Sequence, residues 1–133
     1  MKQIATHLAK NRVGQFATIK DGQSILRPFH FLFVKHEMFY FITNNRKDVY
    51  KQLQNNPTAS FVSMSDDMNF VRVRGAVEFL DDIELKKEIL QKEPMIAGVY
   101  KTADNPVMEL FRIHTGVASL HTGRGDIIEE VKF

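Results

Sequence analysis

Cysteine and tryptophan are absent from this chain, proline and glycine are sparse at four and seven of 133 residues, and neither sign of charge dominates. Without cysteine there is no disulfide framework, thiolate metal site, cysteine nucleophile or iron–sulfur cluster. The composition suits a reducing compartment, with the cytoplasm as the expected location. No stretch reaches the ~18 consecutive apolar residues of a membrane span. The opening MKQIATHLAKNRVGQF scatters charges among its apolar residues and so lacks the apolar centre of a secretory signal. With 18 basic against 16 acidic residues, interspersed apart from short acidic pairs such as Asp81-Asp82, the chain has no nucleic-acid footprint. Linkers, repeats and low-complexity segments are missing too. That leaves one domain over residues 1–133, long enough to bury roughly two thirds of its unfolded surface.

What is plentiful is phenylalanine: eleven, with three tyrosines, crowded into strand-like segments. Such flat apolar surfaces suit a core or a planar ligand. Met1 to Asn11 reads as a short amphipathic helix, Val13 to Lys20 as a strand, and Asp21-Gly22 as a two-residue hairpin into a long strand, Ser24 to Lys35. His36-Glu37 then turns into a third strand, Met38 to Thr43, predicting a three-stranded meander. A helix from about Arg46 to Asn55 stops before Asn56-Pro57, because the residue before proline leaves helical space. Strands follow over Thr58 to Met64 and Asn69 to Leu80, the latter with Gly75 where a bulge or close backbone approach is expected. Asp81-Asp82 cap a helix to about Gln91, Pro94 to Pro106 reads as a loop with a helical turn, and Val107 to Leu120 as a last strand before a Gly-containing hairpin and a short tail. Six strands with closely spaced turns predict a mainly β fold, a small antiparallel barrel with peripheral helices.

Two polar sites stand out. Thr43-Asn44-Asn45-Arg46-Lys47 places two cations at the start of a predicted helix, where the macrodipole disfavours each by a few tenths of a kcal/mol. An anion there reverses that sign, and hydroxyl, amide and ammonium groups converging on a helix start describe a phosphate cradle. The second site is Arg27-Pro28-Phe29. Proline donates no ladder hydrogen bond, so it belongs at an edge, a bulge or a barrel mouth. A guanidinium and free backbone groups beside an aromatic ring suit the edge of a flavin, whose reduced form carries negative charge that Arg27 would stabilise. The plainer reading stands beside it: an N-cap, two solvated cations, an edge proline and a core Phe29. The histidines lack metal-ligand spacing, His30 and His36 straddling a strand end and His114 and His121 falling on opposite faces, so no metal site is expected. Ser63 and Ser65 have neither a base nor an elbow motif for nucleophilic chemistry. A nicotinamide-binding fingerprint is missing as well.

The segments FATIKDGQSILRPFHFLFVKHEMFYFITNNRKDVYKQLQNNP and FVRVRGAVEFLDD combine an Arg-containing second strand and an aromatic strand ending in Thr. A basic helix start, a QLxxNP-like exit and a long R-x-x-G strand follow. In these features the chain resembles the FMN-binding split-barrel family related to pyridoxamine 5'-phosphate oxidase, over roughly Ile4 to Leu120. The stretch Tyr100 to Pro106 resembles a subgroup of its small members. The resemblance implies a six-stranded antiparallel split barrel, a homodimer with FMN at the interface, and transfer of electrons or hydride to or from a small organic substrate. It places Arg27, Pro28, Phe29 and His30 beside the isoalloxazine ring, Ile42 and Thr43 near the ring and ribityl chain, and Asn44, Lys47 and Lys51 at the ribityl and phosphate end. Phe70, Arg72, Tyr100 and Phe111 are the residues that would complete the cleft across the dimer. Where the founding oxidases carry a Ser-Arg-Lys clamp this chain has Lys47-Asp48-Val49, and a lysine that holds substrate phosphate in them falls on Leu32, so pyridoxamine phosphate is not the expected substrate. A non-enzymatic flavin or haem carrier or sensor on the same barrel is the alternative.

Overall fold

A computed structural model describes all residues, 1–133. Its elements run α1 (Lys2–Lys10), β1 (Val13–Lys20), β2 (Gln23–His30), β3 (Phe33–Lys35), β4 (Met38–Asn44) and α2 (Asp48–Asn55). They continue as β5 (Thr58–Met64), β6 (Phe70–Leu80), α3 (Ile83–Lys92), α4 (Pro94–Tyr100), β7 (Met108–His121) and β8 (Ile127–Lys132). No helix is long and apolar enough to cross a membrane.

All six expected strands are present, in one antiparallel sheet ordered β2-β1-β5-β6-β7-β4-β3, with β8 pairing β7. Two corrections follow. The long strand from Ser24 breaks at Phe31-Leu32, where the chain changes partner: Phe31 N–H donates to Arg12 O at 2.7 Å, and Leu32 N–H to Tyr40 O at 3.1 Å. This single step joins the two ends of the sheet and closes the barrel. Hence β2 pairs β1, only β3 pairs β4, and β4 lies against β7, so the expected meander of neighbours is not formed. The tail after the last hairpin is also a strand, β8.

Alternation fixes what faces inward. Phe16, Phe39, Phe41, Phe61 and Phe111 fill the interior, with Phe41 and Phe111 stacked at 5.4 Å and Phe16 edge-on to both. Helices α1 and α2 add Ile4, Leu8, Val49 and Leu53 to that core. On the outer face, α3 packs Leu85 and Ile89 over Leu32, Tyr40 and Leu110. Gly75 answers to a close approach: a Cβ there would lie 1.9 Å from Thr115 O, beside the register shift at Ala76/Val77.

Candidate functional site

Helix α2 starts two residues later than the sequence suggested. Asn44 Oδ1 accepts the Arg46 N–H at 2.8 Å and Asn44 O the Lys47 N–H at 3.0 Å, so this turn closes on itself before the helix begins. Lys47 is therefore the N-cap, extended at φ −82° and ψ 152°, and gives no side-chain cap, while Asp48 is the first helical residue. The Asp48 carboxylate offsets part of the cationic crowding, yet three exposed cations, Arg46, Lys47 and Lys51, remain within the first turn and its approach. The strand end just before this turn holds an anomaly. Thr43 is 2 % exposed and its hydroxyl has no hydrogen-bond partner, a rare condition for a buried polar atom.

A groove of about 550 Å³ lies between the outer face of β4, the end of β2 and α4. His30, Leu32 and Ile42 line the sheet side, Lys47 the α2 side, and Met95, Ile96, Val99 and Tyr100 the helix side; Arg12 and Glu93 contribute an ion pair at 2.5 Å. Pro94 at the first turn of α4 starts this helix where it needs no N–H donor. Met95 and Val99 are 80 % and 67 % exposed, an apolar wall one turn apart with nothing of this chain upon it. Burial lowers the His30 pKa, as does the Arg12 charge, with Glu93 opposing, so the imidazole is neutral at pH 7. Burial raises the Tyr100 pKa, which keeps it a neutral phenol.

The groove thus gathers His30, Ile42 and Lys47 of the expected site residues, together with Tyr100, which the resemblance assigns to the far side of a dimer and which here lines the groove of its own chain. The others fall elsewhere. Arg27 points inward: its guanidinium donates to Thr18 Oγ1 at 2.8 Å, Gln52 Oε1 at 2.6 Å and the carbonyls of Phe16 and Ile25. Burial lowers its pKa while Asp48 raises it, and no part of it lines the groove, which removes the basis for giving its charge to a flavin ring. Pro28 is exposed on terminal strand β2, in register with Gln15. Phe29 leans into the core, 4.8 Å from Phe16, and Phe111 is wholly buried there, so neither ring offers a face to the groove. Asn44 is spent on its turn. Lys51 faces a separate polar cleft with Lys20, Asp21 and Asp48. Phe70 stacks on His121 at 4.7 Å with Arg72 over it at 5.6 Å, at the opposite end of β6 from Leu80, roughly 30 Å along the strand. Arg12, Glu93 and the α4 wall were not anticipated. They meet the groove only through the strand switch at Phe31-Leu32, a long-range event without a local signal.

Residues 1–118 match the family model "Pyridoxamine 5'-phosphate oxidase", and the chain belongs to that family. No curated protein matches it significantly. Among solved structures it is similar to a NimC/NimA family protein from Clostridium acetobutylicum, at 25% identity and TM-score 0.89, covering 100% of this chain and 92% of that one. A pyridoxamine 5'-phosphate oxidase-related, FMN-binding protein from Nostoc punctiforme shares the fold at 20% identity and TM-score 0.71, covering 98% and 87%. A haem-binding protein from Mycobacterium smegmatis does so at 16% identity and TM-score 0.78, covering 98% of this chain and 56% of that one.

Proposed function

We propose that this chain is an FMN-binding flavoprotein that works as an oxidoreductase, a cytoplasmic homodimer exchanging electrons or hydride between bound flavin and a small organic substrate. One observation carries the reading: a single groove joins His30, Ile42 and Lys47, residues that the family resemblance assigns to the cofactor, and Tyr100 to an apolar wall and to a helix start without a side-chain cap. The residues fit the group. A planar, largely apolar ring matches Leu32 and Ile42 on the sheet side of the groove, opposite the open face of α4, and a phosphate dianion matches Lys47, Arg46 and the unmatched N–H groups of the first α2 turn. Thr43 faces the interior rather than the groove, so its lone hydroxyl is not a contact of this ligand.

When bound, FMN supplies one- or two-electron chemistry. The protein's part is to bind, orient and exclude water. Lys47 fixes the anionic end, the α4 wall keeps solvent from the ring, and neutral His30 offers a hydrogen-bonding nitrogen without adding charge. Phe70 and Arg72 reach such a ligand only from a second copy. Val13, Leu26 and Met64, exposed on the same outer face of neighbouring strands β1, β2 and β5, give that copy an apolar surface to cover. The FMN-binding neighbour supports this reading.

The purified protein is expected to show the paired absorption bands of a flavin and to be stabilised thermally by added FMN. Lys47→Glu is expected to weaken FMN at least tenfold, ~1.4 kcal/mol, by fluorescence titration; unchanged affinity would mean that the phosphate lies elsewhere. Haem carriage is the second reading, favoured by the haem-binding neighbour and by the one imidazole in the groove, His30. A Soret band in place of flavin bands would select it.

A further inference from the structure

Arg12 and Glu93 form a polar station in the groove that the flavin reading leaves unused. Arg12 Nε donates to Phe31 O at 3.0 Å and Nη2 to Glu93 Oε1 at 2.5 Å, while Nη1 makes no bond within the chain. The guanidinium is therefore held on two sides with one donor nitrogen to spare. Glu93 is fixed in turn, since it ends α3 and begins α4: its N–H donates to Ile89 O at 2.9 Å and its carbonyl accepts from Ala97 N–H at 3.0 Å. Leu32, beside this station, bonds to Tyr40, whereas Lys47 follows Asn44. About four residues of β4, ~13 Å, thus separate the ion pair from the proposed phosphate end.

We infer that the groove's second ligand is a neutral, planar, largely apolar carbonyl compound of the quinone type, its oxygen accepting from Arg12 Nη1 and its rings lying on the α4 wall. The inference rests on the flavin reading for its redox purpose and on Arg12, Glu93 and α4 for its chemistry. Charge decides the class. Glu93 cancels Arg12, His30 is uncharged at neutral pH, Tyr100 is a neutral phenol, and Lys47 is distant. An anionic head group reaching for Arg12 meets the Glu93 carboxylate, and a cationic one meets the guanidinium. A neutral carbonyl takes the spare donor and meets neither penalty. Met95 and Val99, the most exposed apolar residues of the groove, then gain a covering that the chain itself does not provide.

Calorimetric titration of the purified protein with 2-methyl-1,4-naphthoquinone and with 1,4-naphthoquinone-2-sulfonate tests this. The neutral quinone is expected to bind at least about tenfold more tightly. Arg12→Gln is expected to weaken it by a similar factor. Glu93→Gln, which keeps an oxygen for Arg12 to donate to, is expected to strengthen the sulfonate about tenfold and erase the preference, a gain that misfolding cannot produce. Equal binding of the two compounds, or a sulfonate affinity indifferent to Glu93→Gln, overturns the inference. FMN titration in parallel separates the two claims. Absent FMN binding with the neutral preference and Glu93 response intact sinks the flavin reading alone, and FMN binding without that preference sinks this one alone.

Discussion

The barrel interior and the groove under α4 are built from similar residues and treat them in opposite ways. Inside, Phe16, Phe39, Phe41 and Phe111 have no exposed surface. Apart from the Thr43 hydroxyl, the polar groups there are matched as well: Gln52 Oε1 accepts from both Thr18 and Arg27, and Thr18 Oγ1 accepts from Arg27 in turn. In the groove, Met95 and Val99 stand open, Arg12 keeps a spare nitrogen, and α2 begins without a cap. The two helix starts make the same contrast. α3 opens on Asp82, whose carboxylate accepts the Leu85 N–H at 3.0 Å, and Glu84 follows in its first turn; α2 opens on Lys47, which accepts nothing. One region spends its contacts on holding the fold, and the other leaves them to be met from outside, where a ligand returns more than it displaces.

The largest effects should come from crossing that line in the interior. Phe41→Ala removes a ring in contact with Phe16, Phe29, Phe31, Phe61 and Phe111 and is expected to cost about 3–5 kcal/mol in urea unfolding. The matching cut in the groove, Met95→Ala, is expected to change stability by no more than about 0.5 kcal/mol, because its side chain is already in water, while weakening ligand binding. Comparable stability losses at the two positions would show that α4 is part of the core.

The helix starts allow a finer test. Asp82→Ala removes a made cap and is expected to destabilise the protein by about 1 kcal/mol. Lys47→Ser should do the reverse. The N-cap backbone is already extended, as a capping serine requires, so a hydroxyl there supplies the missing acceptor and stabilises the unliganded protein by about 1 kcal/mol. The same change removes a cation from the groove, so FMN affinity should fall as thermal stability rises. If both fall together, Lys47 serves the fold and the contrast between the two helices has no functional meaning.

How far this was visible beforehand depends on how local the cause is. The strands Val13–Lys20 and Thr58–Met64 and the Asp21-Gly22 turn follow from alternation and turn chemistry and were predicted to the residue. Gly75 within a strand pattern signals a bulge or a close approach, and the structure has the close approach at Gly75 with a register shift just beyond it. The break at Phe31-Leu32 was not, since the run Phe29 to Val34 is apolar or aromatic at most positions and reads as an unbroken strand; only the distant Arg12 and Tyr40 reveal the switch. Arg27 was recognised as unusual, but Gln52 and Thr18, which claim its guanidinium, lie 25 and nine positions away. The α2 start differs from the sequence expectation because the Asn44 turn, which delays the helix to Asp48, looks like a cap in sequence. Along β4, alternation sends Ile42 outward to the groove and Thr43 inward, so residues adjacent in the chain serve different surfaces.

The smallest expected effect concerns protons, and it separates the two regions by sign of function. The interior's ionisable group, Arg27, stays charged at any pH the fold survives, so it contributes no slope near neutrality. His30 in the groove does. Burial and the Arg12 charge set its folded pKa below the ordinary 6.5, with Glu93 opposing. Above 6.5 both folded and unfolded imidazoles are neutral and the preference costs nothing. As pH falls below that value the unfolded chain takes up the proton first, so stability declines until the folded pKa is passed and then levels. Because the ring remains largely in solvent the slope is shallow, and it is read as a difference: between pH 6.5 and about 5 the unfolding midpoint of His30→Gln should fall less than that of the parent. A parent curve no steeper than the variant's would mean that burial and the Arg12 charge together do not depress the His30 imidazole in the folded protein.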